Sequence, residues 1–461
     1  MVLKKLIGDR AFYRRVFAIS IPIIIQNAIT NFVNLLDNVM VGALGTEAMS
    51  GVSIVNQFIF IFNLLIFGAM SAGGIFTAQY HGKGDVKGVR NTFRLKMIMA
   101  VLVGILGVVL FVSLDDQLIS SFLHDGESSG DLELTLKYGK EYLSLFVIGM
   151  IPYAISQAYA STLRETGDTV IPMYSSVIAL VCNCGLNYLL IFVCEMGVTG
   201  AAVATVISRC AELIFVVIVT HARSSRYKFI KGAYRSFALP RNLIASVTVR
   251  GLPLIFNECM WALAMTLRNQ AYSMRGLDVV AAINIASVIV NLASVVYLSC
   301  GASISIIVGA ELGAGNIEKA RDSAWKMMAF SIMCAAITGV LMSVIAPIFP
   351  RMYETSDVVR ELAAFMTIVS AIYLPFEAYA NAAYFTIRSG GRVLMTFLLD
   401  AGFMWAIAVP MSLCIAHFTN LDIRVFYPIC QGASVLKPLL GLYFIRRGTW
   451  ARQLVGDSAS E

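Results

Sequence analysis

An all-α polytopic membrane protein, with twelve transmembrane helices in two pseudo-symmetric six-helix lobes, is predicted from three features of the chain. Of its 461 residues, 58% are hydrophobic and only 14% are charged, and mean hydropathy is +0.77. Soluble domains carry about 25% charged residues. Apolar stretches of about 20 residues, each able to cross a hydrocarbon core of roughly 30 Å, recur along the whole length. Finally, one pattern occurs twice without a gap, 231 residues apart. Ile21-Pro22, Asp37-Asn38, Gly45, Gly82-Lys83-Gly84-Asp85-Val86 and Arg90 recur as Leu252-Pro253, Arg268-Asn269, Gly276, Gly313-Ala314-Gly315-Asn316-Ile317 and Arg321. Internal repeats of this kind are a mark of secondary transporters, so a transporter is the first expectation.

The spans are expected at 16–40, 51–80, 93–113, 137–160, 170–193, 198–220, 247–272, 279–308, 325–348, 358–386, 393–415 and 424–445. The first follows Lys4, Lys5, Arg10, Arg14 and Arg15 and is too long for a signal-peptide core, so it stays as a helix. The second ends at the Gly82-Lys83-Gly84-Asp85 turn. An acidic loop around 114–136, with Asp115, Asp116, Asp125, Glu127, Asp131 and Glu133, separates spans three and four. Span four carries Pro152 and ends at Arg164-Glu165-Thr166-Gly167-Asp168. Its repeat partner, span ten, carries Pro375 and ends at Arg388-Ser389-Gly390-Gly391. Residues 1–220 therefore form one six-helix lobe, 221–246 a cytoplasmic basic linker, and 247–461 the second lobe with a short tail. Both repeats start on the same side, which implies parallel lobes related by an axis along the membrane normal.

The net charge of +7 does not point to nucleic acid. On a twelve-span topology, one set of loops holds 26 Lys and Arg and the opposite set holds six. That asymmetry places both termini in the cytoplasm and the protein in the cell's inner (plasma) membrane, with basic runs touching anionic lipid. Nine scattered cysteines contain no CxxC pair, and the four histidines fall in loops or at span ends. These imply no zinc site, no cofactor and no metal-dependent enzyme. A monomer that moves small molecules is expected.

Ionisable residues inside spans are costly and mark functional sites. Those recognised are Asp37, Arg209, Glu212, Glu258, Arg268, Glu377 and Lys437. Asn27, Asn31, Asn34 and Asn38 make an amide stripe on one face of helix one, which faces a cavity or a neighbouring helix. Asp37 lies about 6 Å below the outer end of that helix, at 1.5 Å per residue. Asn183 and Asn187, one turn apart, and Thr205 reach compatible depths. This all-oxygen set suits Na⁺. Burial also penalises a charged carboxylate, so Asp37 can instead carry a proton. In the second half Arg268 replaces Asp37, and Glu258 replaces Asn27. Glu377 lies in the stripe Tyr373, Glu377, Asn381, Tyr384. Glu258 and Glu377 are expected to shape a cavity or to pair with Arg268 or another buried cation, and Arg209 with Glu212 at i, i+3 to form a local pair.

The chain resembles the multidrug and toxic compound extrusion (MATE) family over nearly its whole length. The residues that carry the resemblance are Pro22 with Asp37 and Met40-Val41-Gly42, the Gly82-Lys83-Gly84-Asp85 loop, and Leu163-Arg164 with Gly167-Asp168-Thr169. Gly197-Val198-Thr199-Gly200-Ala201-Ala202-Val203-Ala204-Thr205 is also typical, and Pro253, Asn257-Glu258 and Trp261 resemble one bacterial branch. The resemblance implies two lobes around a V-shaped cavity and an antiporter that exports organic cations or amphipathic drugs in exchange for H⁺ or Na⁺. It implies that Asp37, Asn183 and Thr205 belong to the coupling site, and that Glu377 is the helix-ten acid. Asn187 stands where some members have a second aspartate, which favours H⁺ over Na⁺. Trp261 stands where some members have a helix-seven glutamate, with Glu258 one turn earlier. Alternatives are a lipid-linked oligosaccharide flippase of the same superfamily, a membrane-embedded enzyme, and a channel.

Overall fold

The structure, a computed structural model, describes residues 6–120 and 132–456. His124, Asp125, Glu127 and Asp131 of the acidic loop lie outside the described residues. Twelve helices are long and apolar enough to cross a membrane. They are α1 (Arg10–Gly42), α2 (Thr46–Lys83), α3 (Val86–Ser113), α4 (Leu132–Glu165), α5 (Val170–Val193) and α6 (Gly197–Ala222). After them come α7 (Arg241–Ser273), α8 (Leu277–Gly313), α9 (Ile317–Ile345), α10 (Asp357–Ser389), α11 (Val393–Phe418) and α12 (Ile423–Arg447). All twelve expected spans are present. The helices overrun the apolar windows, because a helix continues through polar residues once it has left the hydrocarbon. Thus α9 starts at Ile317 and not near 325, taking in Lys319, Arg321 and Asp322.

The repeat is visible in the backbone. The bounds of α1 and α7 differ by 231 at both ends. Gly45 and Gly276 take φ of 120° and 115°, and Gly84 and Gly315 take 77° and 78°. Side chains rarely adopt such angles, so both copies need glycine at the same two turns. The turn before α3 is fixed further by Asp85, whose Oδ1 accepts from Gly88 N at 2.8 Å.

Contacts divide the chain into two compact units. The first comprises Met1–Ile24, Ala78–Gly84 and Leu252–Glu461; the second comprises Ile25–Thr77 and Asp85–Gly251. The first unit therefore contains the start of α1 and the end of α2 together with most of α7 and with α8 to α12. In it, Ser20 Oγ donates to Ser303 Oγ at 2.8 Å. The second unit contains the start of α7, and there Gly251 packs on Ala72. These two contacts join repeat-equivalent positions. At the ends of α2 and α8, a Cβ at Gly82 would meet the Ala310 carbonyl and one at Gly313 the Gln79 carbonyl. Such close backbone approach needs small residues.

Two polar segments fold onto the helix ends. In the second unit, Arg94 donates to the Ala233 and Gly232 carbonyls at 2.7 and 2.8 Å, and Arg90 to Phe229 O at 3.1 Å. Asp168 Oδ2 accepts from the buried Tyr227 hydroxyl at 2.5 Å and pairs with Arg226 at 2.8 Å. Burial, together with that carboxylate, pushes the Tyr227 hydroxyl up to about 12. In the first unit, the segment after α12 is held by Gln79. Its Nε2 donates to Ser389 O at 2.9 Å and Arg452 O at 3.2 Å, and its Oε1 accepts from Leu454 N at 2.7 Å. Gln453 donates to Gly313 O at 2.8 Å, and Trp450 is 1% exposed.

Gln79→Ala removes all three bonds and leaves buried backbone groups unmet, at a cost of about 2 kcal/mol. Faster tryptic cleavage after Arg452 in the purified variant is the expected result. An unchanged cleavage rate would show that the tail is held by other contacts.

Candidate functional site

In the second unit, α1 and α5 bring Asp37 and Asn187 together. Asn187 Nδ2 donates to Asp37 Oδ1 at 2.6 Å and to Asn183 Oδ1 at 3.2 Å. Asn183 and Asn187 face the same way because they are one helical turn apart. Asn183 Nδ2 continues to Thr205 Oγ1 at 3.4 Å, and that hydroxyl donates to Ala201 O at 3.0 Å. Asn183 and Asn187 are 1% and 0% exposed, and Thr205 is 7%. The four residues expected at one depth are thus linked by hydrogen bonds, with Asn187 donating both to the carboxylate and to a run through Asn183 and Thr205 that ends on the Ala201 carbonyl. Asn187 Oδ1 is buried and has no hydrogen-bond partner. After Asn187, α5 finishes as a π-helical turn over Tyr188–Val193, a distortion frequent at functional sites.

Arg209 is the cation that acts on Asp37 through space. It is committed elsewhere. It pairs with Glu212 at 3.2 Å, the expected i, i+3 contact, and lies 4.5 Å from the centre of the Tyr153 ring. Among the described residues, no hydrogen bond links Asn31, Asn34 or Asn38 of the amide stripe to Asp37. Asn31 Nδ2 donates to Asn27 O at 3.2 Å within α1, and Asn34 is exposed. The helix-one amide that does meet other helices is Gln26, which sequence reasoning passed over. Its Nε2 donates to Ser176 Oγ at 3.1 Å, and its Oε1 accepts from Arg164 at 3.1 Å.

The first unit solves the same problem with ion pairs. Glu258 Oε1 accepts from the Tyr384 hydroxyl at 2.9 Å, and that hydroxyl accepts from Arg388 at 3.2 Å. The basic partner of Glu258 is Arg388, at 4.0 Å, so of the two readings, Arg268 or another buried cation, the second holds. Arg388 is only 3% exposed, although its place beside Ser389-Gly390 suggests a loop. Beside this pair is a second one, of which the sequence shows Lys437 but not its partner Asp400. Asp400 accepts from Lys437 Nζ at 2.8 Å through Oδ1 and from Asn257 Nδ2 at 2.9 Å through Oδ2. Asp400 sits in a π-helical stretch of α11, Leu398–Gly402. A lone carboxylate within span eleven was the available signal. Glu377 is half-buried on α10 and acts electrostatically on both Arg268 and Lys437. Tyr373 is half-buried on the same helix, and Asn381 Oδ1 is buried without a hydrogen-bond partner. A further missed pair, Lys96 with Glu165, lies in the second unit, where the fully buried Lys96 also donates to Ser161 Oγ at 2.8 Å.

Comparison with known proteins places this geometry. The MatE family model matches residues 22–189 and 253–419, one match in each half of the repeat. A probable multidrug resistance protein NorM of Thermotoga maritima is 21% identical over 446 residues, covering 96% of this chain and 94% of that protein. The probable multidrug resistance protein YoeA of Bacillus subtilis is 23% identical, covering 90% of each. The solved outward-facing conformation of a multidrug resistance MATE family transporter of the MOP superfamily superposes with a TM-score of 0.86 at 20% identity, over 96% of this chain and 97% of that one.

Lys437→Met leaves Asp400 buried without its cation and should destabilise the purified protein by about 3–5 kcal/mol in denaturant unfolding. Adding Asp400→Asn should recover most of that loss, since the amide still reaches Asn257. If the double variant is no more stable than Lys437→Met alone, the pair is not what holds α11 to α12.

Proposed function

The chain belongs to the MatE family, and we propose that this multidrug efflux transporter exchanges amphipathic organic cations for protons carried on Asp37. The state of the oxygens around Asp37 is the observation that supports the proton. A Na⁺ ion needs several oxygen ligands with free lone pairs. Asn183 Oδ1 and Thr205 Oγ1 already accept from the preceding amide in the chain. Each of these oxygens keeps one further lone pair, so a Na⁺ ion would share them with the amide donors in a set that carries a single formal negative charge. A proton needs only the carboxylate. Once protonated, Asp37 becomes a donor. Asn187 Oδ1, the buried acceptor without a partner, can meet that donor after the amide turns about its last bond.

In this mechanism the charged and neutral forms of Asp37 prefer different arrangements of α1. The ionised carboxylate accepts from Asn187 and attracts a cationic cargo. Protonation from the outside removes the charge, and with it the attraction, so the cation leaves outward. The cycle requires the two arrangements to differ in proton affinity, and a tenfold difference is worth about 1.4 kcal/mol. Exchange of one monovalent cation for one proton is electroneutral. The excess of Lys and Arg in one set of loops supports cytoplasmic termini and residence in the cell's inner membrane.

Asp37→Asn keeps the volume and most of the hydrogen bonding and removes the titratable group. In everted vesicles holding an imposed proton gradient, addition of ethidium should release protons through the wild type. The variant should do so at under about a tenth of that rate, at equal membrane abundance. Near wild-type proton release in Asp37→Asn would reduce Asp37 to a packing role.

A further inference from the structure

Gln26 and Asp37 are eleven residues apart on α1, and their partners on α5, Ser176 and Asn187, are also eleven residues apart. Eleven residues are just over three helical turns and about 16 Å of rise, so each helix presents both of its residues on one face. Two polar rungs therefore join α1 to α5 in a single register. The lower rung is fully engaged. Gln26 Nε2 donates to Ser176 Oγ at 3.1 Å, that hydroxyl donates to Pro172 O at 3.2 Å, and Gln26 Oε1 accepts from Arg164 of α4 at 3.1 Å. Gln26 and Ser176 are 6% and 8% exposed. No group in this rung changes charge near neutral pH, since an amide and a hydroxyl do not titrate and a guanidinium keeps its proton. The upper rung, Asn187 donating to Asp37 at 2.6 Å, contains a carboxylate that can take one up.

The second half of the chain repeats the lower rung and not the upper one. The offset of 231 carries Gln26 to Asn257 and Asp37 to Arg268. An offset of 224 carries the α4–α5 turn onto the α10–α11 turn, where Gly167 and Gly391 take φ of 87° and 70°. It takes Arg164 to Arg388, Ser176 to Asp400 and Asn187 to Met411. Asn257 donates to Asp400 at 2.9 Å, as Gln26 does to Ser176. Arg388, the counterpart of Arg164, reaches the next residue of α7, Glu258, through the Tyr384 hydroxyl. At the upper positions, among the described residues, no hydrogen bond joins Arg268 to Met411. The lower rung is thus built into both copies, and the upper rung belongs to the copy that carries Asp37.

We propose that Gln26 is a positioning residue for the coupling site: its rung to Ser176 and Arg164 stays closed throughout the cycle and keeps α1 in register with α5. Asp37 then meets Asn187 again each time the upper rung has opened. The proposal rests on the reading of Asp37 as the proton carrier.

Gln26→Leu keeps the bulk of the side chain and removes both of its hydrogen bonds. Under an imposed pH difference, its maximal rate of ethidium transport should fall at least about tenfold at equal membrane abundance, with KM within about threefold of wild type. An unchanged maximal rate, or a rise in KM alone, would overturn the proposal. Register is then tested by restoring it. In a cysteine-free background, Gln26→Cys with Ser176→Cys is treated with Hg²⁺, which bridges two adjacent thiols, or with methylmercury, which caps each singly. Bridging should raise transport several-fold toward wild type, and capping should not. Bridging that arrests transport would show that the lower rung opens during the cycle, and would contradict the proposal, as would a pair that Hg²⁺ does not bridge. Because substitutions at a buried rung can impair folding, the wild type is also followed by hydrogen exchange, corrected for intrinsic rates. Lowering the pH from about 8 to about 5.5 should speed exchange several-fold at 36–42 and leave 24–30 within about twofold. An equal rise in both stretches counts against the proposal. Near wild-type transport in Asp37→Asn defeats the proton reading instead, and leaves the bridging result as it stands.

Discussion

A polar group inside a bilayer must be satisfied by the protein itself, and this constraint organises both units. The second unit meets it around Asp37 with neutral dipoles, in an unbroken run from the Ala201 carbonyl through Thr205, Asn183 and Asn187. The first unit meets it with charge on charge: Asp400 against Lys437, and Glu258 against Arg388 through Tyr384. The physical consequences differ. A carboxylate held by amides can gain a proton without stranding a cation. A carboxylate held by lysine cannot, because neutralising it leaves the ammonium buried and uncompensated. The two sites are therefore built differently: the proposed proton exchange at Asp37 strands no lysine, whereas the Asp400 site holds fixed charge in place.

The same constraint explains the structure of the units. The starts of α1 and α7 each belong to the unit built mainly from the other half of the sequence. Ser20 on Ser303 and Gly251 on Ala72 are equivalent contacts made once in each unit. Small residues at these places let helix backbones come close, which in lipid is how helices gain packing energy. Asp37 lies on the part of α1 that belongs to the second unit, while Arg15 of the same helix pairs with Glu311 at 3.3 Å in the first.

Much of this was legible in the sequence, because depth and helical phase are countable. Asn183 and Asn187 at i and i+4, with Asp37 and Thr205 each a short way from a helix end, were enough to assemble the Asp37 cluster. The repeat offset is matched by the bounds of α1 and α7 and by the positive-φ glycines at the duplicated turns. Partner identity was less legible. Arg268 or another buried cation was open as the partner of Glu258, and Arg388 takes that place because α10 remains helical and buried through Ser389. Asp400 escaped notice within an apolar run, and its partner Lys437 was seen without it. Pairing between helices far apart in sequence depends on rotation about each helix axis. The π-helical turns in α11 alter that rotation in a way no periodicity count reveals.

The central claim is that the Asp37 cluster couples transport to protons. The most direct measurement uses purified protein in proteoliposomes, with uptake of a labelled organic cation driven separately by an imposed pH difference and by an imposed Na⁺ gradient. Uptake that follows the pH difference alone, and persists with Na⁺ replaced by choline, is the predicted result. Uptake that requires Na⁺ and ignores the pH difference would contradict it, and would mean that the donor chain through Asn187 and Asn183 opens to admit an ion.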